Sequence, residues 1–110
     1  MKTEPPLLFL IAGEPSGDVL GSRLMAALKL ETKNKIRFVG VGGPLMEAEG
    51  LKSLFPMRDL AVMGIAEILP HLPKFLRRIK ETVNAIHLSQ PDAIITIDSP
   101  TFANRVVRRL

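Results

Sequence analysis

The carboxylate that is best placed for chemistry is Asp98. It directly follows the apolar run Ala93–Ile97, so we expect it at the end of a buried strand. Open α/β sheets bind ligands beyond the carboxyl ends of their strands, and a carboxylate at that edge can act as a general base. Asp is also a common helix cap, and a helix is predicted to begin near Pro100, so a capping role fits Asp98 at least as well. The local pattern therefore leaves a catalytic role and a capping role open.

A second candidate is the loop from Gly13 to Asp18, which reads Gly-Glu-Pro-Ser-Gly-Asp. Gly13 and Gly17 can adopt backbone angles that other residues avoid, and Ser16 or Asp18 could cap the helix that follows. The first N–H groups of that helix could also meet an anion. The loop is therefore interpreted either as a capped turn or as part of a binding site.

The common fingerprints of cofactor sites do not match this sequence. The first loop lacks the Gly-Lys-Ser/Thr of a P-loop, and residues 40–43 (Gly-Val-Gly-Gly) lack the third spaced glycine of a dinucleotide fold. The glycines around Ser16 are not spaced as in a nucleophile elbow. His71 and His87 stand alone, and no Asp-x-Asp pair is present for a divalent ion. We therefore expect neither a cofactor nor a metal.

The elements that must position these residues follow from apolar periodicity. Runs at 7–12, 36–41 and 93–97 predict strands, and helical spacing between the first two predicts a βαβ unit with parallel pairing. Helices near 45–48, over 74–89 and after Pro100 complete an α/β fold, with a short extended piece around Leu54 and Phe55. The residues expected to face the core from the first helix are Val19, Leu20, Leu24, Ala27 and Leu28.

Composition limits the class of protein. At 110 residues the chain is one domain at most, and 46% hydrophobic with 24% charged residues argues against disorder and against a membrane-spanning protein. The absence of cysteine excludes disulfides and suits a cytoplasmic protein. The net charge is +4, and the basic residues cluster at Lys74, Arg77, Arg78 and Lys80 and at Arg105, Arg108 and Arg109.

Residues 66–76 combine apolar side chains with cations, as segments that lie on membranes do. Pro70 and Pro73 interrupt this run and favour a protruding segment over a buried one. The competing interpretation is a core-facing helix whose basic side is solvated. The apolar residues concerned are Ala66, Ile68, Leu69, Leu72, Phe75 and Leu76.

Several separated stretches together resemble one family, the lipid-A-disaccharide synthases, which are glycosyltransferases of bacterial outer-membrane biogenesis. The matching stretches are 12–18 (AGEPSGD), 37–46 (RFVGVGGPLM), 48–50 (AEG), 60–67 (LAVMGIAE) and 97–100 (IDSP) with Phe102. Their order and separation match across nearly the whole chain.

The resemblance implies a GT-B architecture of two Rossmann-like domains, of which this chain resembles the N-terminal, acceptor-side one. The family joins the 2,3-diacylglucosamine of a UDP-linked donor to the 6-hydroxyl of 2,3-diacylglucosamine 1-phosphate, inverting the anomeric centre and releasing UDP without a metal. It follows from the resemblance that the nucleotide-sugar domain lies outside residues 1–110, and we expect these residues alone to be inactive.

The resemblance also assigns roles to individual residues. Asp98 matches the essential acid of the family and becomes the candidate general base. The apolar patch at 66–76 matches a surface that meets acyl chains or the inner membrane, which implies peripheral association and no nucleic-acid partner. The family usually has a second Asp at the position of Thr101, so one charge is absent here. The loop residues expected to line the substrate cleft are Gly13, Glu14, Ser16, Gly17 and Asp18.

A second hypothesis comes from another class of protein. In it the chain is a non-catalytic α/β module that binds an anionic sugar phosphate or a partner protein. Asp98 would then only cap a helix.

Overall fold

The central element of the fold is a parallel sheet. The structure, a computed structural model, describes residues 4–60, 69–97 and 100–110. Its strands are β1 (Leu7–Ala12), β2 (Arg37–Val41) and β3 (Ala93–Ile97), arranged in the order β2-β1-β3. Both neighbours of β1 pair with it in parallel. The predicted α/β fold with a Rossmann-like parallel sheet is confirmed.

The helices of the described residues are α1 (Pro15–Glu31), α2 (Pro44–Ala48), α3 (Leu72–Ser89) and α4 (Pro100–Arg108). Each of these helices was predicted from the sequence, and the largest difference is at the start of α3, which precedes the expected residue 74. Pro73 lies in the first turn of α3. N–H groups in the first turn have no acceptor within the helix, so proline is tolerated there.

β1 is buried on both faces because helices cover each side of the sheet. Its side chains alternate, so that Phe9 and Ile11 join one core cluster while Leu10 and Ala12 join another. The first cluster includes buried residues of α3 and α4, and the second includes buried methionines of α1 and α2. This burial on two sides explains why β1 is a continuous apolar run and not an alternating one.

A cluster of three phenylalanine side chains packs on the side of the sheet that α3 covers. The ring of Phe102 lies edge-on to Phe55 and Phe75, with ring centroids 6.2 and 5.7 Å away. Phe75 is only 3% exposed, so it belongs to the core and not to the exposed apolar patch predicted for it. The reason is helical phase, because Leu76 is rotated by about 100° from Phe75 around α3 and is 46% exposed, while Leu72 in the first turn is 37% exposed.

α1 turns a different face to the core from the one that its apolar residues predicted. Its buried residues include Gly17, Gly21 and Met25, whereas Leu20 is 54% exposed. The glycines let the helix backbone approach its neighbours, since a methyl group on Gly21 would lie 2.5 Å from the Met46 sulfur. The prediction that Leu20 faces the core is wrong, because close backbone packing and not side-chain hydrophobicity decides which side is buried.

Gly40 holds the segment after α2 against the sheet. Its φ of 135° favours glycine, and any Cβ there would collide with the carbonyl oxygen of Leu10. The Gly40 carbonyl accepts the N–H of Leu54 at 2.9 Å, and Gly40 forms an isolated parallel bridge with Ser53. The extended piece predicted around Leu54 and Phe55 is limited to this bridge and is followed by a 3-10 turn at 57–60.

In the part of the chain that the structure describes, no helix has both the length and the apolar character needed to cross a membrane. Ala66 and Ile68, which were assigned to the apolar patch, lie outside the described residues. Their part in that patch stays a prediction.

An ion-pair network joins the 3-10 turn that contains Asp59 to α3. Arg78 donates to the Asp59 carboxylate through Nη2 at 2.7 Å and Nε at 3.1 Å, and Lys74 Nζ lies 3.2 Å from the other oxygen. The Arg78 guanidinium also contacts Glu81 at 2.9 Å and lies 4.6 Å from the centre of the Phe55 ring. Two members of the predicted basic cluster are thus engaged within the fold.

This network sets the protonation of Asp59. Burial alone would raise the pKa of its carboxyl, but hydrogen bonds and charges from Arg78 and Lys74 outweigh burial and lower that pKa below its usual value. Because the folded carboxyl has the lower pKa, the network stabilises the fold fully above about pH 4, where an unfolded Asp is ionised. The stabilisation is lost as the pH falls through the folded pKa.

We expect Asp59→Asn to lower the free energy of unfolding at pH 7 by about 2–4 kcal/mol, because the mostly buried Arg78 loses the charged acceptor of two of its N–H groups and keeps only Glu81. The difference from the wild type should shrink in acid, where both lack the charge. Urea unfolding followed by circular dichroism at neutral and acidic pH measures this. The matched control is Glu81→Gln, whose side chain is 38% exposed and should cost less. Equal losses in both variants at every pH would contradict the assignment.

Candidate functional site

The carboxyl ends of β1 and β3 lie side by side. In the sheet register Ala12 pairs with Ile97, so the chain leaves both strands at the same edge of the sheet. Gly17, in the first turn of α1, packs against this point. A methyl group on Gly17 would lie 3.0 Å from the Ile97 carbonyl oxygen and 3.3 Å from Ala12 Cβ. The glycine therefore lets the start of α1 lie directly over the ends of two strands.

Asp18 joins this first loop to the loop that follows β2. Its carboxylate is only 4% exposed and accepts backbone N–H groups from Gly43 at 3.0 Å and Met46 at 2.9 Å on Oδ1, and from Leu45 at 3.0 Å on Oδ2. These groups are the first donors of α2, whose N-cap, Gly43, has no side chain to accept them. Asp18 therefore caps α2, and not its own helix.

This geometry corrects the role expected for Asp18. A buried carboxylate that already accepts three N–H groups is a structural residue, so Asp18 does not line the open face of the substrate cleft. Gly43 is fitted to it, since a methyl group there would lie 2.6 Å from Asp18 Oδ2. The sequence carried a usable signal, because a Gly-Gly-Pro turn before a short helix lacks its own cap and needs one from elsewhere.

The second loop is also tied to the segment after α2. Gly42 donates its N–H to the Ser53 hydroxyl at 3.1 Å, and that hydroxyl donates to the Phe55 carbonyl at 2.7 Å. These bonds hold residues 53–55 beside the turn at 42–44. The loop after β2 is therefore fixed on both sides.

A cavity of about 650 Å³ opens beside these loops. Its size lies within the range of about 300–1,000 Å³ that is usual for small-molecule sites. Gly13 was predicted from the sequence, whereas the wall made by residues 53–58 was not, because Leu54 and Phe55 were assigned only to a short extended piece. The lining residues are Gly13, Pro15, Gly42, Gly43, Pro44, Glu47, Ser53, Leu54, Phe55, Pro56, Met57 and Arg58.

The start of α1 differs from the start of α2. Glu14 occupies the N-cap position with extended backbone, and its side chain makes no capping hydrogen bond. Glu14 and Ser16 are exposed, while Gly13 and Gly17 are buried at the ends of the strands. Four of the loop residues predicted to bind substrate thus remain candidates at this edge, and their role stays a prediction.

Asp98 lies outside the described residues, so its predicted catalytic role is untested by the geometry. Leu69 begins the 3-10 turn 69–71, and Leu72 and Leu76 are exposed on α3, whereas Phe75 is buried. Within residues 4–60, 69–97 and 100–110, no three His, Asp or Glu side chains are grouped so as to hold a metal ion.

The parallel sheet, with a ligand-sized cavity at the carboxyl ends of its strands, defines a domain of the Rossmann-like α/β class. A family model described as lipid-A-disaccharide synthetase matches residues 8–110. The chain belongs to this family.

Individual relatives agree with the family model. The chain is 56% identical over 107 residues to the lipid-A-disaccharide synthase of Rhodospirillum centenum. This match covers 97% of the chain and 27% of that protein. It is 57% identical over 100 residues to the synthase of Paramagnetospirillum magneticum, covering 91% of this chain and 26% of that protein. For the synthase of Granulibacter bethesdensis the identity is 52% over 105 residues, with 96% and 26% covered. The chain thus spans about a quarter of the length of these curated relatives.

We expect Asp18→Ala to lower the free energy of unfolding by about 2–4 kcal/mol, because the N–H groups at the start of α2 lose a charged acceptor in a buried setting. The matched control is Glu47→Ala, which removes an exposed carboxylate from α2 itself and should change stability by no more than about 0.5 kcal/mol. Urea unfolding at neutral pH compares the two. Equal stabilities would show that Asp18 does not fasten the two loops.

Proposed function

We propose that this chain is the acceptor-side domain of an inverting glycosyltransferase of lipid A biosynthesis. The enzyme condenses UDP-2,3-diacylglucosamine with 2,3-diacylglucosamine 1-phosphate to give lipid A disaccharide 1-phosphate and UDP. The proposal is supported by membership of the lipid-A-disaccharide synthetase family and by relatives that bear the name of this synthase. A nucleotide-sugar domain outside residues 1–110 supplies the donor site, so residues 1–110 alone have no transfer activity.

The observation that carries the proposal is the register of β1 and β3. Ala12 pairs with Ile97, and a methyl group on Gly17 would lie 3.0 Å from the Ile97 carbonyl oxygen, so Gly13 and Asp98 follow two adjacent strand ends in the chain. A sugar that rests on the loop from Gly13 to Gly17 would then be within reach of a carboxylate that follows β3. This is the edge at which open α/β sheets bind their ligands.

The proposed chemistry is a single displacement. As the 6-hydroxyl oxygen of the acceptor bonds to the anomeric carbon of the donor, its proton passes to the Asp98 carboxylate. The bond from that carbon to the UDP oxygen breaks, UDP leaves with the electron pair, and the configuration inverts. The carboxylate must lie about 2.6–3.2 Å from the hydroxyl for this transfer.

Activity is testable in a fusion enzyme, in which residues 1–110 replace the matching region of the Rhodospirillum centenum synthase. We expect Asp98→Asn to lower kcat by about 100-fold or more, because the amide cannot accept the hydroxyl proton. Transfer of diacylglucosamine from the UDP donor is measured. The control Glu31→Gln removes an exposed carboxylate at the other end of α1 and should leave the rate unchanged.

Two outcomes of this assay would contradict the proposal. If folded Asp98→Asn retains near-normal transfer, Asp98 is not the base. If the unmodified fusion enzyme is folded but transfers no sugar, the non-catalytic binding module becomes the better account of the chain.

We further propose that the start of α3 contacts the cytoplasmic surface of the inner membrane. Leu72 and Leu76 are 37% and 46% exposed, and Arg77 beside them is 63% exposed. Residues four apart lie on one helix face, so the two leucines form an apolar stripe next to a cation. Ala66, Ile68 and Leu69 precede α3 in the chain, and their part in this surface stays a prediction. Apolar side chains that enter the headgroup region, together with cations that meet anionic lipids, favour peripheral binding.

We expect Leu72→Ser with Leu76→Ser to weaken binding to anionic liposomes by about tenfold or more, because apolar surface that enters the bilayer is lost. Sedimentation with the liposomes measures the bound fraction. Leu88→Ser is the control, because Leu88 is 86% exposed on the same helix but near its other end. Equal binding by the double variant and the control would contradict a membrane role for this stripe.

A further inference from the structure

We propose that the cavity beside the first two loops holds an acyl chain of the lipid substrate. The inference rests on the proposed function, which supplies an acylated sugar, and it assigns a place to the hydrocarbon that no comparison assigns.

The N–H groups of the loop after β2 are already hydrogen-bonded within the protein. The N–H of Gly42 donates to the Ser53 hydroxyl. The Asp18 carboxylate accepts the N–H groups of Gly43, Leu45 and Met46. Pro44, between them, has no N–H. The start of a helix is a common site for phosphate, but here a carboxylate of the protein already occupies it. This wall of the cavity therefore does not select an anion.

The remaining polar side chains do not change this conclusion. The Ser53 hydroxyl donates to the Phe55 carbonyl while it accepts from Gly42, so it is used within the wall. Glu47 and Arg58 also line the cavity, but both are exposed and their charges are opposite. The formal charges of these two lining side chains therefore cancel.

The other side of the cavity is apolar and rigid. Leu54 lines it and is 42% exposed, so its side chain presents apolar surface that a hydrocarbon chain could cover. Phe55 and Met57 continue this wall. Phe55 is held in place by the Phe102 ring and by the Arg78 guanidinium. Binding of hydrocarbon to a preformed apolar wall is favourable, because few side chains of the protein have to be ordered.

The position of the cavity fits an acyl chain that is attached to a sugar. Gly13 and Pro15 form one part of its lining, and these residues belong to the loop on which the sugar is proposed to rest. A sugar at this loop would direct a chain along Leu54. The cavity of about 650 Å³ is large enough for a chain of many carbons.

Chain-length selectivity tests this assignment. We expect Leu54→Trp to fill part of the cavity and move the preferred acyl chain to a shorter length in the fusion enzyme. For acceptors whose chains no longer fit, kcat/KM should fall by about fourfold for each methylene expelled from apolar contact. The control is Leu88→Trp, which makes the same change at an exposed position of α3 and should leave the chain-length profile unaltered.

A binding measurement that does not depend on catalysis separates this inference from the proposed function. Parinaric acid, a fatty acid whose fluorescence rises in apolar surroundings, is titrated into the 110-residue chain and its two tryptophan variants. Weaker binding to Leu54→Trp than to Leu88→Trp supports the acyl site even if the fusion enzyme is inactive. Equal binding by both variants, or an active Leu54→Trp fusion enzyme with an unchanged chain-length profile, overturns it.

Discussion

A single buried carboxylate, that of Asp18, fixes the geometry on which the site depends. It belongs to α1, which begins over the strand ends at Ala12 and Ile97, yet it accepts the first N–H groups of α2. The loops after β1 and β2 are therefore held as one unit. Because the bonds are charge-assisted and shielded from water, they are strong enough to set the position of the cavity between these loops.

A second set of interactions fixes the opposite wall of the cavity. The segment after α2 is connected to α3 by the ion pair of Asp59 with Arg78. It is connected to the core by the contact of Phe55 with Phe102. The cavity thus lies between two anchored walls. The wall formed by the loop after β2 is held by internal hydrogen bonds, and the opposite wall is apolar. In the proposed function, the loop after β1 would take the sugar and the apolar wall would take the hydrocarbon.

The sequence predicted the elements of the fold well, because strands and helices depend on apolar patterns that are local. It predicted the burial of α1 poorly, since Gly17 and Gly21 allow a close approach that no hydrophobic pattern records. The position of Phe75 was missed for a related reason, because the run 66–76 was interpreted as one surface although α3 places Phe75 and Leu76 on different sides.

The candidate site was predicted in part. The edge of the sheet followed from the strand ends, but the role of Asp18 depends on N–H groups that lie 25 to 28 residues away in the chain. The cavity wall at Leu54 likewise depends on a bridge between Gly40 and Ser53, which no local pattern specifies. Such contacts between distant segments arise only when the chain is folded.

In the proposed reaction, Asp98 acts on an acceptor that rests on the first loop. A crystal structure of the fusion enzyme with UDP and 2,3-diacylglucosamine 1-phosphate tests it most directly. The account predicts the acceptor 6-hydroxyl about 2.6–3.2 Å from the Asp98 carboxylate, with the sugar against Gly13 to Gly17. An acceptor bound elsewhere, with Asp98 bonded only to N–H groups in the first turn of α4, would contradict it.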